Sequence, residues 1–181
     1  MEVVQKDNAV VIKGLDEQLF KKLDRPRLVT KGCWRFLADQ KPKGKILTIS
    51  DVKYTKVARI GDEANFEWTV YRHSSEPIMN NQVDLAINLT CGYGCVKLYG
   101  MVWWNPEICP GRVYYGKLVW LKPGEKATTR ATVEFQKSGL YVFKLTAWYW
   151  KYVTSKSERY GAVAYPRIFL DAYVHVPVLV I

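Results

Sequence analysis

From residue 45 onward the chain keeps a hydrophobic period of two. Ala64, Phe66, Trp68 and Val70 alternate with Glu63, Asn65, Glu67 and Thr69, the signature of a strand with one buried face. Leu85, Ile87 and Leu89 alternate with Ala86, Asn88 and Thr90, and Ala127, Thr129, Ala131, Val133 and Phe135 alternate with Thr128, Arg130, Thr132 and Glu134. Tyr141, Phe143, Leu145, Ala147 and Tyr149 follow the turn Lys137-Ser138-Gly139. Further strands are expected over 47–59, 96–104, 112–121 and 167–181. Turn sequences separate them: Ile60-Gly61-Asp62, Ser74-Ser75-Glu76-Pro77, Asn105-Pro106, Cys109-Pro110-Gly111 and Lys122-Pro123-Gly124-Glu125. The last residues, His175 to Ile181, are apolar on both strand faces and need cover on both sides.

The first 44 residues read differently. A short strand is expected over Asn8, Ala9, Val10, Val11, Ile12 and Lys13, after the polar lead Lys6-Asp7-Asn8. Leu15, Leu19, Phe20 and Leu23 fall at helical spacing, which predicts a short helix over 16–23, stopped by Pro26. An extended piece over 28–37 and a turn or linker over 40–44 complete an N-terminal arm. Many short strands with spaced turns and almost no helix predict an all-β protein. The expected architecture is an antiparallel immunoglobulin-like or jelly-roll-like β-sandwich over 45–181, preceded by an extended arm over 1–44.

Arg59-Ile60-Gly61-Asp62 with Phe66-Glu67-Trp68-Thr69-Val70, then Leu121-Lys122-Pro123-Gly124-Glu125, then Ser138-Gly139-Leu140-Tyr141-Val142-Phe143 resembles the immunoglobulin-like domains of cell-surface and adhesion proteins. The resemblance covers about 46–150 and lies mainly in the turns that open each strand. It implies a sandwich whose role is structural or adhesive, and it carries no activity over to this chain. The N-terminal arm and the aromatic stretch after residue 146 depart from it.

Composition sharpens this picture in three ways. Seven Trp, twelve Tyr and six Phe, most of them after residue 66, favour strands. The formal net charge is +10, from 27 basic and 17 acidic residues, but no run of five basic residues occurs, so a nucleic-acid partner is not expected. The segment Val10-Val11-Ile12-Lys13-Gly14-Leu15-Asp16-Glu17 resembles the opening of ribbon-helix-helix DNA-binding regulators. Pro26 and the strand-like sequence after it leave no second helix for that fold. No stretch of eighteen apolar residues suggests a membrane span. No charged-then-apolar leader opens the chain, which fits either a protein without a secretory signal or a processed form.

Catalytic chemistry is not expected. The two histidines, His73 and His175, are far apart, and no nucleophile elbow, phosphate loop or dinucleotide fingerprint occurs. No metal site and no cofactor are expected. Cys33, Cys91, Cys95 and Cys109 favour two disulfides over free thiols or a zinc site, because the spacing lacks Cys-x-x-Cys knuckles. The simplest pairing is Cys91–Cys95 with Cys33–Cys109, one of three possible. Asn88-Leu89-Thr90 is a glycosylation sequon, with Asn88 expected to point outward. Paired aromatics place one ring inside and one outside, so Trp103, Trp104, Trp120, Trp148 and Trp150 are candidate interface residues.

These features point to a structural, self-assembling protein of the cell exterior or a virion surface: a filament, pilus-like fibre or virion subunit. Copies of the chain would polymerise by strand addition, with residues 8–13 as the favoured donor and the tail as the closing strand of its own sheet. The competing expectation is a module that binds glycans or another ligand through exposed aromatics.

Overall fold

The computed structural model describes residues 2–6, 9–13, 33, 35–101, 107–111 and 116–181. The first two strands, β1 (Glu2–Lys6) and β2 (Ala9–Lys13), form a two-stranded antiparallel sheet of their own, in a register that pairs Val4 with Val11. Residues 9–13 are thus a strand, as their β-branched run implies, and Glu2–Lys6 is a strand as well, for which no element was expected. The helix expected over 16–23 lies outside the described residues, as does Asn8.

The remaining strands are β3 (Leu47–Tyr54), β4 (Val57–Ala58), β5 (Glu63–Arg72), β6 (Gln82–Cys91), β7 (Val96–Tyr99), β8 (Glu107–Ile108), β9 (Lys117–Trp120), β10 (Lys126–Glu134), β11 (Gly139–Ser157) and β12 (Gly161–Val180). They form two five-stranded sheets, ordered β3-β5-β10-β7-β8 and β4-β12-β11-β6-β9. All pairings are antiparallel except the short β4–β12 contact, where Val57 and Ala58 run parallel to Leu179 and Val180. The protein is therefore an all-β, mainly antiparallel two-sheet β-sandwich.

The alternating residues read from the sequence build its core. Phe66, Trp68 and Val70 from one sheet meet Leu85, Ile87, Tyr141, Phe143 and Leu145 from the other, all buried. Phe66 and Phe143 pack with ring centroids 4.8 Å apart, and so do Phe135 and Tyr141. Tilted aromatic pairs of this kind add to simple area burial.

A second, smaller core lies on the opposite face of the β4-β12-β11-β6-β9 sheet. Cys33 and residues 35–38 are helical, and Cys33 and Leu37 bury Leu140 and Val142. This corrects the extended piece expected over 28–37 at its C-terminal end. Leu37 reaches the sheet because a helical turn aligns side chains four apart with Cys33. The Cys33–Cys91 disulfide fixes that turn to the end of β6, and a Cys95–Cys109 disulfide joins β7 to the segment after β8. The expected pairing of Cys91 with Cys95 and Cys33 with Cys109 is therefore incorrect. Cys91 ends a strand of one sheet and Cys95 precedes a strand of the other, so the Gly92–Gly94 loop carries the chain across the sandwich. Each cysteine instead meets the partner that packs beside its own sheet.

β11 and β12 are much longer than the alternation suggested. Their pairing runs unbroken from Gly139↔Val180 to Ser157↔Gly161 apart from one bulge, whereas β6 leaves β11 at Tyr149↔Val83. Beyond that point the two strands pair only with each other among the described residues, as a ribbon projecting from the sandwich. Residues 152, 154–156 and 158–167 are exposed. At roughly 3.3 Å per residue, the ribbon reaches about 25 Å past its base.

Candidate functional site

The bulge in β12 sets the anchor on which this sheet is built. Ala147 pairs with Ala172 and Trp148 pairs with Leu170, so Asp171 is an extra residue without a cross-strand partner. A bulge re-aims side chains. Here the buried Asp171 carboxylate turns to the chain entering β3, where it accepts the main-chain N–H groups of Lys45 (2.8 Å), Ile46 (2.8 Å) and Leu47 (2.7 Å). Gly44 passes directly over that carboxylate, where a Cβ would collide with Asp171 atoms.

Next to this clamp, the end of the arm is stitched to the open edge of β12. Lys41 and Tyr173 exchange main-chain hydrogen bonds at 3.0 and 2.8 Å. The Gln40 side chain imitates one more strand residue: its Nε2 donates to the His175 carbonyl (2.9 Å) and its Oε1 accepts the His175 N–H (2.8 Å). The His175 ring hydrogen-bonds through Nδ1 to the Asp39 carbonyl, and the Tyr173 hydroxyl donates to the Asp39 carboxylate at 2.6 Å. Burial lowers the His175 pKa, partly offset by that carbonyl. These bonds pair the open edge of the tail, while Val176, Val178 and Val180 join the main core and the Phe36 ring packs against His175 on the other face, so the tail closes its own sheet.

At the base of the ribbon the outer face of the same sheet carries an aromatic groove. Met79, Gln82, Asp84, Leu118, Trp150 and Pro166 line a cleft of about 490 Å³. β6–β9 register places Trp120 opposite Gln82 and Leu118 opposite Asp84, and Trp120 is 62% exposed on its rim. Trp150 Nε1 donates to the buried Asp84 carboxylate at 2.5 Å, and Trp148 Nε1 donates to Thr146. Burial raises the Asp84 pKa, with the Trp150 bond acting in the opposite sense. Among the described residues, Asp84 is the one acidic or basic side chain lining this cleft.

The ribbon continues both faces of the sheet it leaves. On the core side Tyr149 stacks on Phe169 at 5.5 Å, and further out come the pairs Val153/Tyr165 and Ser155/Val163. On the other side lie Tyr152/Pro166 and Thr154/Ala164. The tip is a tight loop closed by Gly161 in the left-handed region (φ 71°), which suits glycine. Ser157 Oγ accepts the N–H groups of Arg159 and Tyr160, and the Arg159 guanidinium lies over the Tyr160 ring.

The residues singled out from the sequence distribute unevenly over this geometry. Trp120, Trp148 and Trp150 come together at the groove and the face beside it, while Trp103 and Trp104 lie outside the described residues. Asn88 does point away from the main core, but it is only 7% exposed, which corrects the expectation of an outward acceptor. Neighbouring Thr146 and Ala86 are buried too, because that face of the sheet is covered. Cys95, Glu107 and Cys109 lie close together, yet both sulfurs are committed to a disulfide and offer no thiolate to a metal. Asp84, Asp171 and the ribbon were not anticipated. Neither acid has a local motif; the one available signal was an aspartate inside an otherwise apolar strand. Buried Arg72 was missed for the same reason: its guanidinium donates to Asn81 Oδ1 (2.6 Å), the Leu121 carbonyl (2.7 Å) and the Glu76 carbonyl (2.9 Å).

No helix among the described residues is long and apolar enough to cross a membrane. Two disulfides accord with an oxidising, non-cytoplasmic setting. No protein-family model matches the chain, and no curated protein matches it. Among solved structures it is similar to a CARDB domain from Pyrococcus furiosus, solved in complex with di-metal ions, at 14% identity and a TM-score of 0.45, over 77% of this chain and 92% of that one. It is also similar to a conjugative transposon lipoprotein from Bacteroides eggerthii (10% identity, TM-score 0.38, 69% of this chain and 97% of that one). A PapD-like domain of human CEP192 resembles it at 10% identity and a TM-score of 0.35, over 79% of this chain and 90% of that one. These are β-sandwich proteins, and at such identities the likeness concerns the fold.

Proposed function

We propose that the protein is a structural subunit of an extracellular filament, pilus-like fibre or virion, polymerising by strand addition between copies of itself. The observation that carries this reading is the β11–β12 ribbon. Among the described residues its strands have unpaired outer edges, and apolar side chains occupy both faces, with Tyr152 59%, Val163 42% and Tyr165 42% exposed. A two-stranded ribbon is marginal in water by itself, and open edges of this kind accept further strands. The N-terminal β1–β2 sheet is a second two-stranded unit whose strands pair only with each other among the described residues. It is the natural donor, delivered as a hairpin rather than as the lone strand 8–13. Backbone hydrogen bonds would supply the pairing. Deleting residues 1–14 should leave a folded monomer that no longer forms polymers under the electron microscope. Undiminished polymers from the truncated chain would remove the donor role.

The exposure of Trp120 beside Asp84 and Gln82 favours a second reading, a glycan platform. Saturable quenching of tryptophan fluorescence by polysaccharides, abolished by Trp120→Ala, would support it over self-assembly.

A further inference from the structure

We infer that the ribbon tip of one copy, Arg159 and Tyr160, seats in the Trp150–Asp84 groove of a second copy; this rests on the assembly reading above. Three features of the chain lead to this contact. Among the described residues the groove is apolar apart from Gln82 and one buried carboxylate, which accepts the Trp150 Nε1 hydrogen bond through one oxygen. Such a site fits an aromatic ring that brings a cation with it. The tip presents that pair: Tyr160 is 74% exposed, Arg159 lies over its ring, and the loop is held in place by Ser157 Oγ. Exposed Lys156 adds a second positive charge near the tip, against a single Glu158.

The contact has to be between copies. Trp150 and Pro166 form the ribbon's base, and the tip stands about 25 Å away at strand rise, so the tip is out of reach of its own groove. One surface on the ribbon and a different surface on the sandwich make a heterologous contact, which repeats into an open chain of subunits unless its rotation closes a ring. The tip would thus add side-chain specificity to backbone pairing along the ribbon.

The test uses the full chain. Two variants, Glu158→Cys and Leu118→Cys, place one thiol at the tip beside Arg159 and one on the groove rim, both at exposed positions. Mixed and mildly oxidised, they should give a covalent dimer on a non-reducing gel, mapped by mass spectrometry to residues 158 and 118. Arg159→Glu should raise the critical concentration for polymer formation at least tenfold. If the wild type remains a monomer at every concentration, the assembly reading fails and this contact fails with it. If the wild type polymerises but no 158–118 bond forms and Arg159→Glu leaves the critical concentration unchanged, the contact alone is overturned.

Discussion

Asp171 binds Ile46 across 125 residues of sequence, its Oδ2 accepting the Ile46 N–H at 2.8 Å inside the protein. With the neighbouring bonds to Lys45 and Leu47, this carboxylate takes up three main-chain N–H groups at the entry to β3, where Leu47 also pairs with Arg72 of β5. Asp171→Ala would leave buried N–H groups unpaired and should cost about 3–5 kcal/mol in urea unfolding. Asp171→Asn, which keeps one acceptor oxygen, should cost less. Gly44→Ala should be destabilising as well, because its methyl group has no room beside Asp171.

His175 makes the arm clasp sensitive to acid. Its folded pKa is lowered by burial, so between that value and the ordinary 6.5 the unfolded chain binds more protons than the folded one. The stability it supports is complete above pH 6.5 and falls as the pH drops through the folded pKa. Urea midpoints at pH 7.5 and pH 5 should differ more for the wild type than for His175→Gln. Equal differences for the two proteins would dismiss the effect.

The disulfides should separate by reduction and by mutation. Cys33 and Cys91 lie 58 residues apart, and removing that bond with a double serine variant should cost about 4 kcal/mol by loop entropy. The Cys95–Cys109 bond closes a shorter loop, and its removal should cost about 3 kcal/mol. Peptide mapping without reductant should recover the 33–91 and 95–109 linkages and no 91–95 product.

Asn88 is only 7% exposed, so a glycan there would have to displace the cover on that face of the sheet. Eukaryotic glycan transfer acts on the chain before it folds, so protein secreted with a glycan at Asn88 should show a lower urea midpoint than the same chain without it.

β5 and β10 were legible because each buries chiefly one face, and the alternation of Ala64, Phe66 and Trp68 against Glu63, Asn65 and Glu67 is a direct record of that. The outer half of the ribbon left little trace. Residues 152–167 bury neither face within the chain, so Tyr152, Val153, Val163 and Tyr165 show no contrast to read. The cysteine pairing depends on which loops the topology sets side by side, information that spacing does not hold. The apolar tail illustrates the reverse case. Its two-sided hydrophobicity suggested a missing partner, yet the outer side is met by residues 36–41 of the same chain, with Gln40 serving as a surrogate strand.

β11 and β12 are at once the central strands of one sheet and the two sides of the projecting ribbon. No linker or hinge separates the projection from the core, so a load applied at Tyr160 passes straight down two continuous backbones. It arrives among Phe143, Leu145 and Val176 as shear along the strands, shared by many ladder bonds together rather than broken one at a time. A subunit gripped by this ribbon would be held by its own core.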